Sequence, residues 1–253
     1  MARKALVTLA ATIAVLGSAA SAHAAANLAL TLPADVDAGA PISGSFTASG
    51  LPKGGGGKVV LQRQMGTKNV WKTVAALSGA GGPVNTAGVP MGVQKFRVAY
   101  LRGHRKPVAS RTSVVRAYST IPLGDFATNG TGVLTQPTST FSYIGLESDS
   151  DGVPNVWKTV TNNTCRSVHL DIAVSKVSQY AVAGTTAVVS VLQESADPVS
   201  TSVINGGDGV LDAALVPGQS WSVTVAATNN NNGQTAAYAY FNGTASCYAK
   251  PST

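Results

Sequence analysis

Hydrophobic and polar positions alternate along this chain in short runs broken by glycine and proline, the pattern of half-buried strands. Leu28, Leu30 and Leu32 alternate with smaller residues, and Pro33 ends the run. Residues 42–47 follow the turn Gly39-Ala40-Pro41, and the glycines at 54–57 open a strand over 58–64. That strand turns through Met65-Gly66-Thr67-Lys68 into a second one carrying Trp71. Gly79, Gly81, Gly82 and Pro83 make a long turn, and runs 94–101 and 107–118 flank a tip at Arg102-Gly103-His104-Arg105-Lys106. About seven short strands at this spacing predict a β-sandwich.

The pattern resumes after residue 120. Residues 126, 133–134 and 140–146 begin it, and Val168, Leu170, Ile172 and Val174 face one way from a strand whose other face carries His169 and Asp171. Further strands over 187–192, 199–204, 210–216, 221–227 and 235–241 are separated by strong turn signals, among them Asn205-Gly206-Gly207-Asp208-Gly209 and Pro217-Gly218. Trp221, Val223 and Val225 share one face, as do Ala236, Tyr238 and Tyr240, so both faces are expected in the core of a second sandwich or jelly roll. The hexapeptide Asn69-Val70-Trp71-Lys72-Thr73-Val74 recurs unchanged as Asn155-Val156-Trp157-Lys158-Thr159-Val160. Each copy is expected on the second strand of a hairpin near the start of its domain, with its tryptophan as a structural anchor.

Composition supports the all-β reading: charged residues are 11% of the chain, in a Gly, Ser, Thr, Ala and Val background. At 253 residues there is length for two domains with cores of their own. Charge divides them. Residues 26–119 hold twelve Lys and Arg against two Asp, whereas residues 120–253 hold four against nine acidic groups. The sign changes at Ser119-Thr120-Ile121-Pro122, which is expected to be a linker. The expected organisation is therefore a leader over 1–24, a first β-sandwich over 26–119 and a second over 120–253.

The leader is a tripartite signal peptide: Arg3 and Lys4, an apolar run over 5–16, and the A-x-A site Ala22-His23-Ala24. It implies a secreted, extracellular product. In an oxidising compartment the two cysteines, Cys165 and Cys247, are expected to pair and close the second domain; two free thiols, or intermolecular bridges, are the alternative.

Residues 58–63, Trp71 to Ala75, Phe96 to Tyr100 and Val108 to Ser110 together resemble the bacterial immunoglobulin-like domains of secreted and cell-surface proteins, over about 28–118. The resemblance implies a spacer or ligand-presenting module without catalytic residues.

Six cations lie on the last hairpin of this domain or at its tip: Arg97, Arg102, Arg105, Lys106, Arg111 and Arg116. Loops at the end of a sandwich are common binding sites, so Arg97, Arg102, Arg105, Lys106 and Arg111 are the candidates for holding an anionic wall polymer, a glycan or a protein, with nucleic acid least favoured. The competing reading is a solvated face that blunts edge pairing.

The stretch Glu147-Ser148-Asp149-Ser150-Asp151-Gly152-Val153-Pro154-Asn155 places oxygens at every second position ahead of a glycine, a layout that suits calcium. It resembles one thrombospondin type 3 repeat, with Glu147, Asp149, Asp151 and Asn155 as the implied ligands; an acidic turn without metal is the alternative. No other cofactor is implied.

His169 and Asp171 share a strand face, the geometry of a base and its orienter, yet no nucleophile motif accompanies them. The expected function is thus a secreted, non-enzymatic structural or interaction protein. One alternative is a carbohydrate- or polyanion-binding module using the basic hairpin, 97–116. A small secreted hydrolase is the third, and it requires Asp149, Asp151, Asp171 and Asp208 to converge in a cleft.

Overall fold

The computed structural model describes residues 26–52, 56–66, 68–103, 107–126, 133–138, 141–148, 155–161, 163–174, 185–228 and 237–250. Among them the fold is all-β, and the one helical element is a single 3-10 turn, Leu123–Asp125. No helix among the described residues is long and apolar enough to cross a membrane.

The first half comprises β1 (Asn27–Thr31), β2 (Asp35–Asp37), β3 (Ile42–Ser49), β4 (Lys58–Met65), β5 (Val70–Leu77), β6 (Gly81–Thr86), β7 (Gly92–Leu101), β8 (Val108–Ala109) and β9 (Ser113–Pro122). Strands β1, β3 and β6 form one antiparallel sheet; β5, β4, β7 and β9 form the other in that order, with β2 added parallel to β9. Alternation drives the packing. Ile42, Phe46, Leu61, Val84, Phe96, Val98, Val115 and Ala117 point between the sheets and are buried in one core.

The second half comprises β10 (Val133–Thr138), β11 (Phe141–Ser148), β12 (Asn155–Val160), β13 (Cys165–Val174), β14 (Thr186–Gln193), β15 (Ala196–Ile204), β16 (Asp208–Ala214), β17 (Trp221–Thr228) and β18 (Ala237–Cys247). One sheet runs β12-β17-β14-β15. In the other, β13 lies between β16 and β18, and β18 also pairs with β11 through Ala237–Phe241 and with β9 through Thr244–Cys247. Leu170, Val189, Trp221, Val223, Val225 and Phe241 fill this core, and Phe126 meets Trp221 edge to face at 6.0 Å between ring centres. Cys165 and Cys247 stand opposite one another in the β13–β18 register and form the disulfide.

The segment expected as a linker is continuous strand. Strand β9 pairs with β7 over Ser113–Ala117 and then with β18 over Ser119–Pro122. Ser, Thr and Ile tolerate extended pairing well, and Pro122, which has no N–H to offer, stands at the strand's end where its loss matters least. Val115 and Ala117 enter the first core and Ile121 the second. All three have the same parity, so both cores lie behind one face of a continuous sheet. Its other face carries Val114, Arg116, Thr120 and Pro122 to solvent.

Tyr118 belongs to that outer face but is buried. The Arg166 guanidinium sits 4.5 Å over its ring and is ion-paired with Asp37, while Tyr248 meets it edge-on at 5.6 Å. Arg116 pairs with Asp35 at 3.6 Å and lies 5.8 Å from the Tyr248 ring. Burial, followed by the charge of Asp35, pushes the Tyr118 phenol above its ordinary range. The two halves are thereby joined by a shared strand and by side chains drawn from both.

Two expectations about aromatic faces are corrected. Tyr240 lies half-buried on the outer face, and it is Ala239 and Phe241, of opposite parity, that enter the core. Strand β12, carrying Trp157, pairs with β17 and so is not the second strand of a hairpin with β11.

Candidate functional site

Strand β5 does follow β4 in a hairpin, yet Trp71 is absent from the core between the sheets. The cause is a β-bulge. Leu61 pairs with Ala75 and Gln62 with Thr73, which leaves Val74 as the extra residue. An extra residue reverses the face of everything beyond it: Ala75 and Leu77 pack on the core, whereas Trp71 and Thr73 turn to the outer face.

There Trp71 meets Arg97. The guanidinium carbon lies 4.1 Å from the centre of the indole ring, a stacked cation–π arrangement. Arg97 is fixed a second time by donating from Nε to Oε1 of Gln62, its register partner on β4, at 2.9 Å. Desolvation pushes its pKa below the ordinary value; a guanidinium remains charged regardless. Of its five N–H donors, only Nε has a protein acceptor among the described residues.

No acidic residue occurs in β4, β5, β7 or β9. Asp35 and Asp37, on β2 beside β9, are taken by Arg116 and Arg166. Arg97 therefore has no carboxylate partner among the described residues. Lys95, two residues earlier on β7, is exposed beside exposed Val93 and Val114. The face combines fixed positive charge, an aromatic ring and the side-chain amides of Gln62 and Gln64.

The other sequence candidates are placed as follows. Arg102 ends the β7 side of the hairpin and is half-buried, and Arg111 is exposed between β8 and β9. Arg105 and Lys106 lie outside the described residues. Arg116, counted with the basic hairpin, is committed to Asp35. In the acidic stretch, Glu147 lies on β11 and Asn155 opens β12, while Asp149 and Asp151 fall outside the described residues. Among those described, no three His, Cys, Asp or Glu are gathered as a metal site.

His169 and Asp171 project from the outer face of β13, and the structure adds Asp212 from β16, which sequence reasoning missed. Asp212 Oδ1 lies 2.7 Å from Nδ1 of His169, and Asp171 Oδ1 lies 3.4 Å from Nε2. The hydrogen bond to Asp212, with the charges of Asp212 and Asp171, raises the imidazole pKa against the opposing effect of burial. Both carboxylates lie at ring nitrogens and stabilise the protonated form of the imidazole. Asp171 and Asp208 border an open hollow of about 380 Å³ on the same face.

No protein-family model matches the chain. No curated protein matches it. Among solved structures it is similar to the M60 catalytic domain with the CBM51-1 and CBM51-2 domains of Clostridium perfringens ZmpB, at 10% identity and a TM-score of 0.37, over 89% of this chain and 32% of that one. It is also similar to the N-terminal CBM22-1-CBM22-2 tandem domain of Paenibacillus barcinonensis Xyn10C, at 11% identity and a TM-score of 0.29, over 88% and 92% of the two chains. A third is infectious bursal disease virus, Gx strain, at 11% identity and a TM-score of 0.31, over 76% and 53%. The chain thus spans about a third of the length of the first of these and about half of the viral chain.

Proposed function

We propose that this chain is a secreted, non-catalytic binding protein of the cell exterior whose first sandwich holds an acidic polysaccharide. The carrying observation is Arg97 laid flat on Trp71 and tied to Gln62, with no acceptor for its terminal nitrogens among the described residues and no acidic residue on the four strands of that face. Holding the side chain beforehand lowers the entropy lost on binding. The planar fork suits a carboxylate or sulfate through two parallel hydrogen bonds. Lys95 adds a second positive charge one pleat away, and Arg102 and Arg111 extend the charge toward the hairpin tip.

The strand order supports reading this sandwich as an immunoglobulin-like module, with β1-β3-β6 against β5-β4-β7-β9 and a short strand parallel to the last. The leader and the disulfide support export to an oxidising compartment.

Electrophoresis through gels cast with polygalacturonate, or with its neutral methyl ester, tests the reading. Retardation by the acid alone, lost in R97Q and weakened by added salt, is the expected result. Equal retardation of wild type and R97Q would remove this face as the site.

A further inference from the structure

A second polar feature lies across the shared strand from Trp71 and Arg97. Strands β16, β13, β18 and β9 bring Asp212, His169 and Thr244 into one cross-strand row and Ser167, Ser246 and Thr120 into the next. These six border an open depression of about 340 Å³. Its floor is the sheet itself, where Val168 and Ala213 turn inward. It lies on the same face of the continuous sheet as Arg97, because Arg116 and Thr120 have the same parity along β9.

The lining is set for hydroxyl groups. The hydroxyls of Thr120, Ser167 and Thr244 have no protein partner among the described residues, and each both donates and accepts. Ser246 Oγ accepts from Arg166 Nε at 3.1 Å, which leaves its own hydrogen to donate. Asp212 is held by His169 through one oxygen and keeps the other as an acceptor. A sugar hydroxyl would find an acceptor at Asp212 and hydroxyl donors around it.

We propose that this depression binds an uncharged sugar ring, and that it is the second subsite of a polysaccharide whose acidic units lie on Arg97. The identity of the whole polymer rests on the function proposed above, but the chemistry of this subsite does not. A neutral oligosaccharide tests it alone.

The probes are cellohexaose, xylohexaose, mannohexaose and chitohexaose, each titrated into the full mature chain and followed by amide chemical shifts. At least one is expected to shift Ser167, His169 and Thr244. The double variant S167V/T244V is expected to weaken that ligand tenfold or more. Valine is at home in strands, so these variants keep the fold, and D212N checks the same subsite with almost no change in shape. If none of the four shifts those residues, or if S167V/T244V and D212N both bind as wild type does, the subsite is refuted. R97Q losing polygalacturonate while the neutral ligand still binds separates the two sites. Loss of the acidic ligand's binding in S167V/T244V alone would show that Arg97 is not where the acid sits.

Discussion

Arg97 stacks on Trp71 across an intervening strand, its guanidinium 4.1 Å from the ring centre, because a single bulge at Val74 turns Trp71 away from the core. Planarity is what the arrangement uses. R97K therefore keeps the charge but loses the stack and the fork, and it is expected to recover little of the acid affinity lost in R97Q. A charge-assisted hydrogen bond contributes about 1.5–3 kcal/mol, so titration calorimetry of R97K should show roughly a tenfold or greater loss.

Trp221 and Trp71 differ in depth. Trp221 is buried against Phe126, and W221A should destabilise the fold by about 3–5 kcal/mol. W71A loses an outer-face contact of about 0.5–1 kcal/mol and should melt close to wild type while losing acidic ligand. Urea unfolding of the two variants, read by circular dichroism, checks the contrast.

Cys165 and Cys247 are 82 residues apart in sequence, and their bond also pins the end of β18 beside β9. Loop-closure entropy puts the stabilisation at about 4 kcal/mol as an upper figure. A C165A/C247A chain should show a markedly lower denaturation midpoint; a midpoint unchanged from wild type would mean that the β-pairing alone holds the end of the chain.

Because β9 belongs to both sandwiches, heat should unfold the protein in one calorimetric transition. Y118A removes the buried ring that Arg166 and Tyr248 cover, at a cost of about 3–5 kcal/mol, and should split the transition in two. Two resolved transitions already in the wild type would contradict the coupling.

His169 gives a pH dependence of definite sign. Its folded pKa is raised, chiefly by Asp212, so the folded state holds the proton more tightly than the unfolded chain. The added stability is complete below the unfolded pKa of about 6.5 and is lost as pH rises through the higher folded value. The pair is well exposed, so the difference should stay within about 1 kcal/mol. Relative to H169Q, wild type should gain stability between pH 9 and pH 5, and D212N should lose most of that gain.

Most strands of both halves could be read from alternation and turn residues, and the disulfide from cysteine count and compartment, since those signals are local or few. Three things could not. Gly81, Gly82 and Pro83 read as a turn, yet they open β6 and pair with β3. The outer placement of Trp71 depends on one unpaired residue, Val74, and in sequence Trp71, Thr73, Ala75 and Leu77 look like a single face. The partner of β18 is 120 residues or more upstream, and nothing local marks Ser119 to Pro122 as a strand rather than a linker, since Pro122 and small residues suit either. For the site, Arg97 is legible in the sequence as one of the cations of the last hairpin. Its meeting with Trp71, like that of His169 with Asp212, required the register between strands.

Titration of a short oligogalacturonate into wild type, R97Q and W71A at low and at physiological salt tests the acidic-polysaccharide site most directly. Saturable binding that weakens with salt and falls at least tenfold in both variants is the predicted result. Binding undiminished in R97Q and W71A, or no binding by the wild type even at low salt, would contradict it.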